Sequence, residues 1–355
     1  MDSFNGNTEL LELVGYPAFY VCDGNITQTN DAAKSLLITT DEPVASLIQT
    51  GLAEYLAMSE GCISLVITIH EQSFCAFVHR MENQDLFVLD LPQEDPVQMG
   101  LSLASATFRA PLHRILGAVE SLQQMYKGKD ADSEKLLAEI SRGSFQILRQ
   151  VANMSDAATY PTEKLHCQLW KPEETIREIV EKAGTALESK GIQLSFTSSC
   201  PDLIVPLNRE KIERALHNLI LNAANSIAPR KGHICVELSR SEDRLYISVT
   251  DDGRGIPDEI MSNIFCRYRR CPNLETVSHG IGLGLSLVRS VATAHGGTVL
   301  IQRCASNGTR IIMSLKIMQY SDMLLRAPRF HFDYAGEYDH TLVELSDILP
   351  SELFQ

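Results

Sequence analysis

The chain has 355 residues, a formal net charge of -14 and a sequence pI near 5.2, which excludes a nucleic-acid backbone as a direct partner, and no basic run points to an anionic membrane surface. A hydrophobic content of 44% fits soluble globular protein, and the length suits two to four domains, each with its own core. There is no apolar run of about 18 residues, and Met1 to Gly6 lacks the basic and apolar regions of a leader, so the expected location is cytoplasmic, with no membrane partner. The nine cysteines contain no Cys-x-x-Cys pair and read as reduced, mostly buried thiols rather than a zinc site.

Residues 1–92 alternate short strand signals with turns. Pro17–Cys22, the turn Asp23-Gly24 and Ile26–Asn30 read as a hairpin in which Gly24 supplies a positive φ. A helical stretch opened by Asn30-Asp31-Ala32-Ala33 follows, and then three strand-like runs, Ile63–His70, Ser73–His79 and Leu86–Asp90, which read as an antiparallel meander. This order resembles a PAS sensor domain. The Asn-Cys-Arg-Phe context of a flavin-binding PAS domain is absent, and His70 and His79 read as structural strand residues rather than haem ligands. A ligand-free dimerisation or partner-sensing module is expected.

From residue 96 to 158 the period becomes helical. Phe108, Leu112, Ile115, Leu116, Val119 and Leu122 recur at three- and four-residue steps, and after the turn Lys127–Asp130 so do Leu137, Ile140, Ile147, Val151 and Met154. Two antiparallel helices are expected. One hairpin has too little core, so its stripes are expected to meet those of a second copy in a dimeric four-helix bundle, the alternative being packing against the rest of the same chain.

The segment 165–318 carries the chemistry. Asn218 and Asn222 lie four apart in an apolar helical pattern with Leu216, Leu219 and Ile220, which points both amides from one helix face. Asp251 ends the strand-like run Leu245–Thr250, where a buried carboxylate can accept from an adenine amine, and Gly253 and Gly255 let the backbone turn against a base. Gly280, Gly282, Leu283 and Gly284 precede the helical pattern Leu285, Val288, Val291 and Ala292, so free amides at a helix start can hold phosphates. A lone glycine triplet is weak evidence, but these elements in this order and spacing resemble the ATP site of a histidine kinase. Ile264–Arg269, with Phe265 and Tyr268, resembles that family's aromatic lid, and His295-Gly296-Gly297 its following helix end.

The resemblance implies an α+β multidomain protein: a PAS-like antiparallel sheet, a helical hairpin and an α/β-sandwich ATPase domain. It also implies ATP with Mg²⁺, the metal on Asn222, and a response regulator as partner beside the homodimer. Two departures stand out. Asn225 replaces a basic residue found in many relatives, and Asn218 stands where ATP-hydrolysing relatives of the gyrase and chaperone families carry a glutamate base, which disfavours water activation. The stretch between Phe265 and Gly280, with Arg267, Arg269 and Arg270, is expected to be a lid that phosphate orders.

In that family the phosphate-accepting histidine is followed by an acid and, five residues on, by a proline. The matching stretch here is Ala106-Thr107-Phe108-Arg109-Ala110-Pro111-Leu112, so Ala106 occupies the acceptor position and Thr107 that of the acid. Alanine offers no nucleophile, and Ala110 replaces the Thr or Asn that positions water in relatives with phosphatase activity. His113 is the candidate relocated acceptor, seven residues beyond Ala106, about 20° round the helix and about 10.5 Å along it. It lacks a following acid, since Arg114 stands there, and reads as a surface histidine. The two expectations are a histidine-kinase-like ATP binder without autophosphorylation, and an active phosphotransferase using His113 or a partner's residue. The tail, 319–355, is acidic with apolar residues at helical spacing, and is expected to dock on its own protein or a partner without contributing chemistry.

Overall fold

The computed structural model describes residues 11, 14–91, 96–159, 167–257, 283–304, 308–317, 335 and 338–355, with backbone alone at 96–99, 101–102 and 157–159. The N-terminal hairpin forms as its turn chemistry requires. Ala18–Cys22 (β1) and Asn25–Thr29 (β2) pair antiparallel across Asp23 and Gly24, whose φ values are 50° and 79°. Asn30 then caps Asp31–Ser35 (α1), its Oδ1 accepting from the N–H of Ala33 at 2.9 Å and of Ala18 at 3.0 Å.

Ile48–Thr50 (β3) and Leu52–Ala57 (α2) lead into the meander Gly61–Ile69 (β4), Gln72–Arg80 (β5) and Asp85–Asp90 (β6). The strand order is β2-β1-β6-β5-β4, with β3 also on β4. Alternation places Phe19, Val21, Ile63, Leu65, Val78, Phe87 and Leu89 in one core under α1 and α2, where Phe19 stacks on Phe87 with ring centroids 5.0 Å apart. Tyr20, Cys62, Phe77 and Val88 point to the opposite face and join the larger core of the chain.

Pro96–Tyr126 (α3) and Ala131–Thr159 (α4) form the expected antiparallel hairpin, turning at Gly128 with φ 71°. Pro111 lies inside α3, where its missing N–H removes one ladder bond. The stripe divides into two seams. Leu112, Leu116, Val119, Leu137, Leu148 and Val151 are buried within the chain, whereas Phe108, Ile115, Leu122, Ile140 and Ile147 remain 40–54% exposed.

The rest is a layered α/β unit. Gln168–Trp170 (β7) pairs with Val205–Leu207 (β9) in a small separate sheet. Pro172–Glu188 (α5), Ile192–Ser198 (β8), Arg209–Ile227 (α6), Gly232–Ser241 (β10), Arg244–Asp251 (β11), Gly284–Ala294 (α7), Val299–Arg303 (β12) and Thr309–Lys316 (β13) complete it. The order β12-β13-β11-β10-β8 is mixed, with β8 parallel to β10, and α5, α6 and α7 pack onto this sheet.

The two sheets are one. The edge strand β4 pairs antiparallel with the edge strand β12, Cys62 opposite Ile301 and Ser64 opposite Val299, so that two open edges cover each other. Gly61, at φ 101°, is required there, because a Cβ would collide with the carbonyl of Ile301. Arg244 to Glu54 at 3.3 Å and Arg289 to Asp90 at 2.9 Å reinforce the join, and the Arg289 guanidinium lies 4.7 Å from the Phe77 ring centroid.

The tail docks on its own chain. His340–Glu344 (α8) and the 3₁₀ turn Ser351–Phe354 lie against α4, and α8 also touches α5 and α6. Asp339 caps α8, accepting from Thr341 N–H at 2.8 Å. Among the described residues no helix is long and apolar enough to cross a membrane. No cluster of metal-ligating side chains occurs among them. Of the seven described cysteines, all free thiols, only Cys62 and Cys200 are fully buried, fewer than expected.

Candidate nucleotide site

Helix α6 begins at Asn208, whose Oδ1 accepts from Lys211 N–H at 3.0 Å, and runs on an apolar face of Ile212, Leu216, Leu219, Ile220, Ala223 and Ile227 until Pro229, just beyond its end, stops it. That face packs on the sheet and turns the adjoining row, Asn218, Asn222 and Asn225, toward β11 and the start of α7. Asn218 donates from Nδ2 to the Arg214 carbonyl at 2.9 Å, which leaves its Oδ1 buried without a partner. Asn222 Nδ2 and Asn225 Oδ1 are likewise buried and unpaired. Three orphaned amide atoms on consecutive turns are costly in a finished core, and a row of them is a set of groups awaiting a polar ligand.

The glycines keep this space open. An added Cβ on Gly284, the first residue of α7, would stand 3.1 Å from Asn218 Oδ1 and 3.8 Å from Asn222 Oδ1. Phosphates approaching the N-terminus of α7 would therefore meet backbone N–H groups and these amides together. Leu283 before it is buried and its carbonyl accepts from Ser286 Oγ at 2.8 Å.

Asp251 ends β11 as expected and is buried at the mouth of the same space. Gly253 N–H donates to Asp251 Oδ1 at 2.9 Å, and a side chain on Gly253 would strike the Ser226 hydroxyl and this carboxylate. Gly255 holds φ 72° and Gly308, in the β12–β13 connection, presses against the Asp251 carbonyl. Burial pushes the Asp251 carboxyl above its ordinary range, opposed by the hydrogen bond from Gly253 N–H. His295, at the end of α7, is held below the usual histidine value by burial; its Nδ1–H donates to the Val291 carbonyl at 2.8 Å and its Nε2 accepts from Asn208 N–H at 3.1 Å.

Asn218, Asn222, Asn225, Asp251, Gly253, Leu283 and Gly284 are thus brought together, with Gly255 beside them. Phe265, Tyr268, Gly280, Gly282 and the expected lid lie outside the described residues. Ala106 and His113 lie on α3, away from this group. Ala106 and Thr107 are exposed, and the Thr107 hydroxyl donates to the Leu103 carbonyl at 2.7 Å. His113 is half-buried on α3, its ring stacked on Tyr338 of the tail at 6.3 Å. Sequence reading missed Ser226, which faces Asp251, and Arg289, which ties α7 to the N-terminal sheet.

Residues 207–319 match the family described as histidine kinase-, DNA gyrase B- and HSP90-like ATPase, and this part of the chain is an ATPase domain of that kind. The relatives it is similar to include histidine kinases. Histidine kinase P4 of Formosa agariphila is 27% identical over 219 residues, 60% of this chain and 16% of its own. Hybrid signal transduction histidine kinase D of Dictyostelium discoideum is 28% identical over 226 residues, 61% of this chain and 14% of its own. The chain therefore spans less than a fifth of the length of either. Among solved structures, full-length ShkA in complex with AMPPNP shares the fold with a TM-score of 0.51 at 21% identity, over 62% of this chain and 46% of that one.

Proposed function

We propose that the chain is a signalling protein of histidine-kinase type that binds ATP with Mg²⁺ between α6, α7 and β11 and does not phosphorylate itself. The observation that carries the first half is the row of unpaired amide atoms on Asn218, Asn222 and Asn225 facing the glycine start of α7. Asp251 would accept from the adenine amine, Asn218 and Asn225 would accept through their free Oδ1 atoms from a ribose hydroxyl or a metal-bound water, and Asn222 would offer its amide oxygen to the metal, whose other positions phosphates and water can fill. When bound, the nucleotide supplies a transferable γ-phosphoryl group. This chain's residues bind and orient it, and Asn218, an amide, cannot activate water.

The second half rests on Ala106, exposed on α3 with no nucleophile, and on the cover that Tyr338 places over His113. The PAS-like reading of residues 1–92 draws support from the strand order β2-β1-β6-β5-β4. The homodimer draws support from the outer seam of the hairpin, where Phe108, Ile115, Leu122, Ile140 and Ile147 leave a continuous apolar stripe uncovered within one chain. The resemblance proposes a response regulator as further partner.

The test of the site is thermal. ATP with Mg²⁺ should raise the unfolding temperature, because a ligand selective for the folded state adds about 2.7 kcal/mol at a hundredfold excess over its dissociation constant. Asn222→Ala and Asp251→Asn should each abolish the shift, and a full shift in both variants would refute the assignment.

A further inference from the structure

The N-terminal half of α6, around Arg214, has no part in the nucleotide site, yet it carries a buried charge cluster. Glu344 of α8, fully buried, is bracketed by two guanidinium groups from different parts of the chain: Arg149 of α4, whose Nε stands 3.4 Å from Oε2 in a charge contact without hydrogen-bond alignment, and Arg214 of α6, whose Nε donates to Oε1 at 3.2 Å. Asp347 adds a second ion pair to Arg149. Arg214 also pairs with Asp156 of α4 and donates to Asn153 Oδ1 at 2.8 Å, while Lys211 Nζ stands 3.0 Å from Asp156. His217, one residue before the first asparagine, accepts from the Thr341 hydroxyl at 3.2 Å and donates to the Glu213 carbonyl at 2.9 Å.

Apolar contacts run beside these ions. Val343, Leu345 and Leu349 are fully buried, and the Phe145 ring of α4 meets Tyr338 at 5.2 Å and Phe354 at 5.5 Å. The hairpin also satisfies the tail's free carbonyls: Gln123 Nε2 donates to Phe354 O at 2.6 Å, and Arg142 and Gln146 donate to Ser346 O, each at 3.2 Å. The ion pairs of Glu344 join the tail to the hairpin and to α6 at once, and the aromatic and carbonyl contacts add to its hold on the hairpin. Without Glu344 and Asp347, the buried Arg149 and Arg214 would lose the acids that neutralise them at this seam, a strongly unfavourable arrangement.

We propose that residues 338–355 are a strap: an acidic, apolar segment seated in the groove between α3, α4 and α6 that fixes the helical hairpin against the N-terminal half of the nucleotide-binding helix. The join between hairpin and ATPase domain depends on this segment, which acts as a ligand of its own chain. The same groove accepts the segment from a separate peptide when the attached copy is prevented from docking.

The experiment uses the full chain with paired spin labels on unnatural amino acids at the exposed positions Glu120 of α3 and Glu242 of the β10–β11 turn, diluted with unlabelled chain so that only distances within one chain are read. The unaltered protein should give one narrow distance distribution. Leu345→Asp, which places a charge at a fully buried tail position, should broaden it, and a peptide of residues 338–355 should restore the narrow peak, whereas the same peptide bearing Leu345→Asp should not. A narrow peak in the variant without peptide, or no restoration by the intact peptide, would overturn the strap. Hydrogen exchange on the unaltered chain provides a test independent of any variant: the amides of Val343, Leu345 and Leu349 should exchange at least ~100-fold slower than in the free peptide. Exchange at the free-peptide rate would equally overturn it.

Discussion

Helix α6 carries two polar sets that differ in one respect. At the front, its C-terminal half, Asn218, Asn222 and Asn225 hold buried polar atoms with no partner; at the back, its N-terminal half, Arg214 and His217 are saturated by Glu344, Asp156, Asn153 and Thr341. The helix pattern alone cannot separate them, since both rows are polar interruptions of an apolar sequence. What separates them is satisfaction. A buried polar group that the chain pairs is part of the join between segments, and one that the chain leaves unpaired costs stability that a ligand can return.

The largest effect should come from the back. Arg214→Ala leaves the buried Glu344 to Arg149 and Asp156 to Lys211 and should cost about 3 kcal/mol of unfolding free energy in denaturant titration. A loss below about 1 kcal/mol would show that the network is not the join it is described as here.

Next in size is the outer seam of the hairpin. Aspartate at both Ile115 and Ile147 should convert a dimer to a monomer in light scattering at micromolar concentration, because the stripe that meets the second copy would carry charge at its centre. An unaltered chain that is already monomeric would contradict this.

Two buried histidines, His217 of α6 and His295 at the end of α7, should also give the protein a pH signature. Burial holds His217 and His295 below the ordinary histidine value of 6.5, and each already donates from Nδ1–H and accepts at Nε2 in its neutral form. The unfolded chain therefore binds more protons than the folded chain as pH falls through 6.5, so stability present above that pH is lost below it, by up to about 1.4 kcal/mol per pH unit for each histidine. Asp251, raised by burial, works in the opposite sense in a more acid window. Denaturant midpoints should fall between pH 7.5 and 5.5, and His217→Gln should flatten the slope; a flat profile for the unaltered protein would be the contrary result.

The smallest effect belongs to the front. Asn222→Ala removes an unpaired amide from a helix interior and replaces it with a better helix former, so the protein without nucleotide should change by less than about 1 kcal/mol, in either direction. The same change should abolish the thermal response to ATP. A large intrinsic loss would place Asn222 with the structural residues Arg214 and His217.

Much of this was legible in the sequence because it depends on local chemistry. Asp23-Gly24 dictates its turn, the period change near residue 96 marks the hairpin, and the spacing of Asn218, Asn222, Asp251 and Gly284 brings the site together. What escaped is non-local. Cys62, Ile63 and Ser64 read as ordinary strand residues, and nothing in them says that their free edge pairs with Val299, Leu300 and Ile301. Glu344 reads as one more acid in an acidic tail, although its position between the apolar Val343 and Leu345 was a usable sign that the carboxylate is drawn inside. Arg149 and Arg214 look like helix-surface charges until the tail covers them.

The central claim is that nucleotide is held where no acceptor stands. It is tested most directly by incubating the unaltered protein and the Ala106→His, Thr107→Glu variant side by side with γ-labelled ATP and Mg²⁺, and counting acid-labile phosphate on each chain. The account predicts no labelling of the unaltered protein, and transfer gained, if any, only in the variant. Robust acid-labile labelling of the unaltered protein, abolished by His113→Ala, would contradict it and make His113 the acceptor.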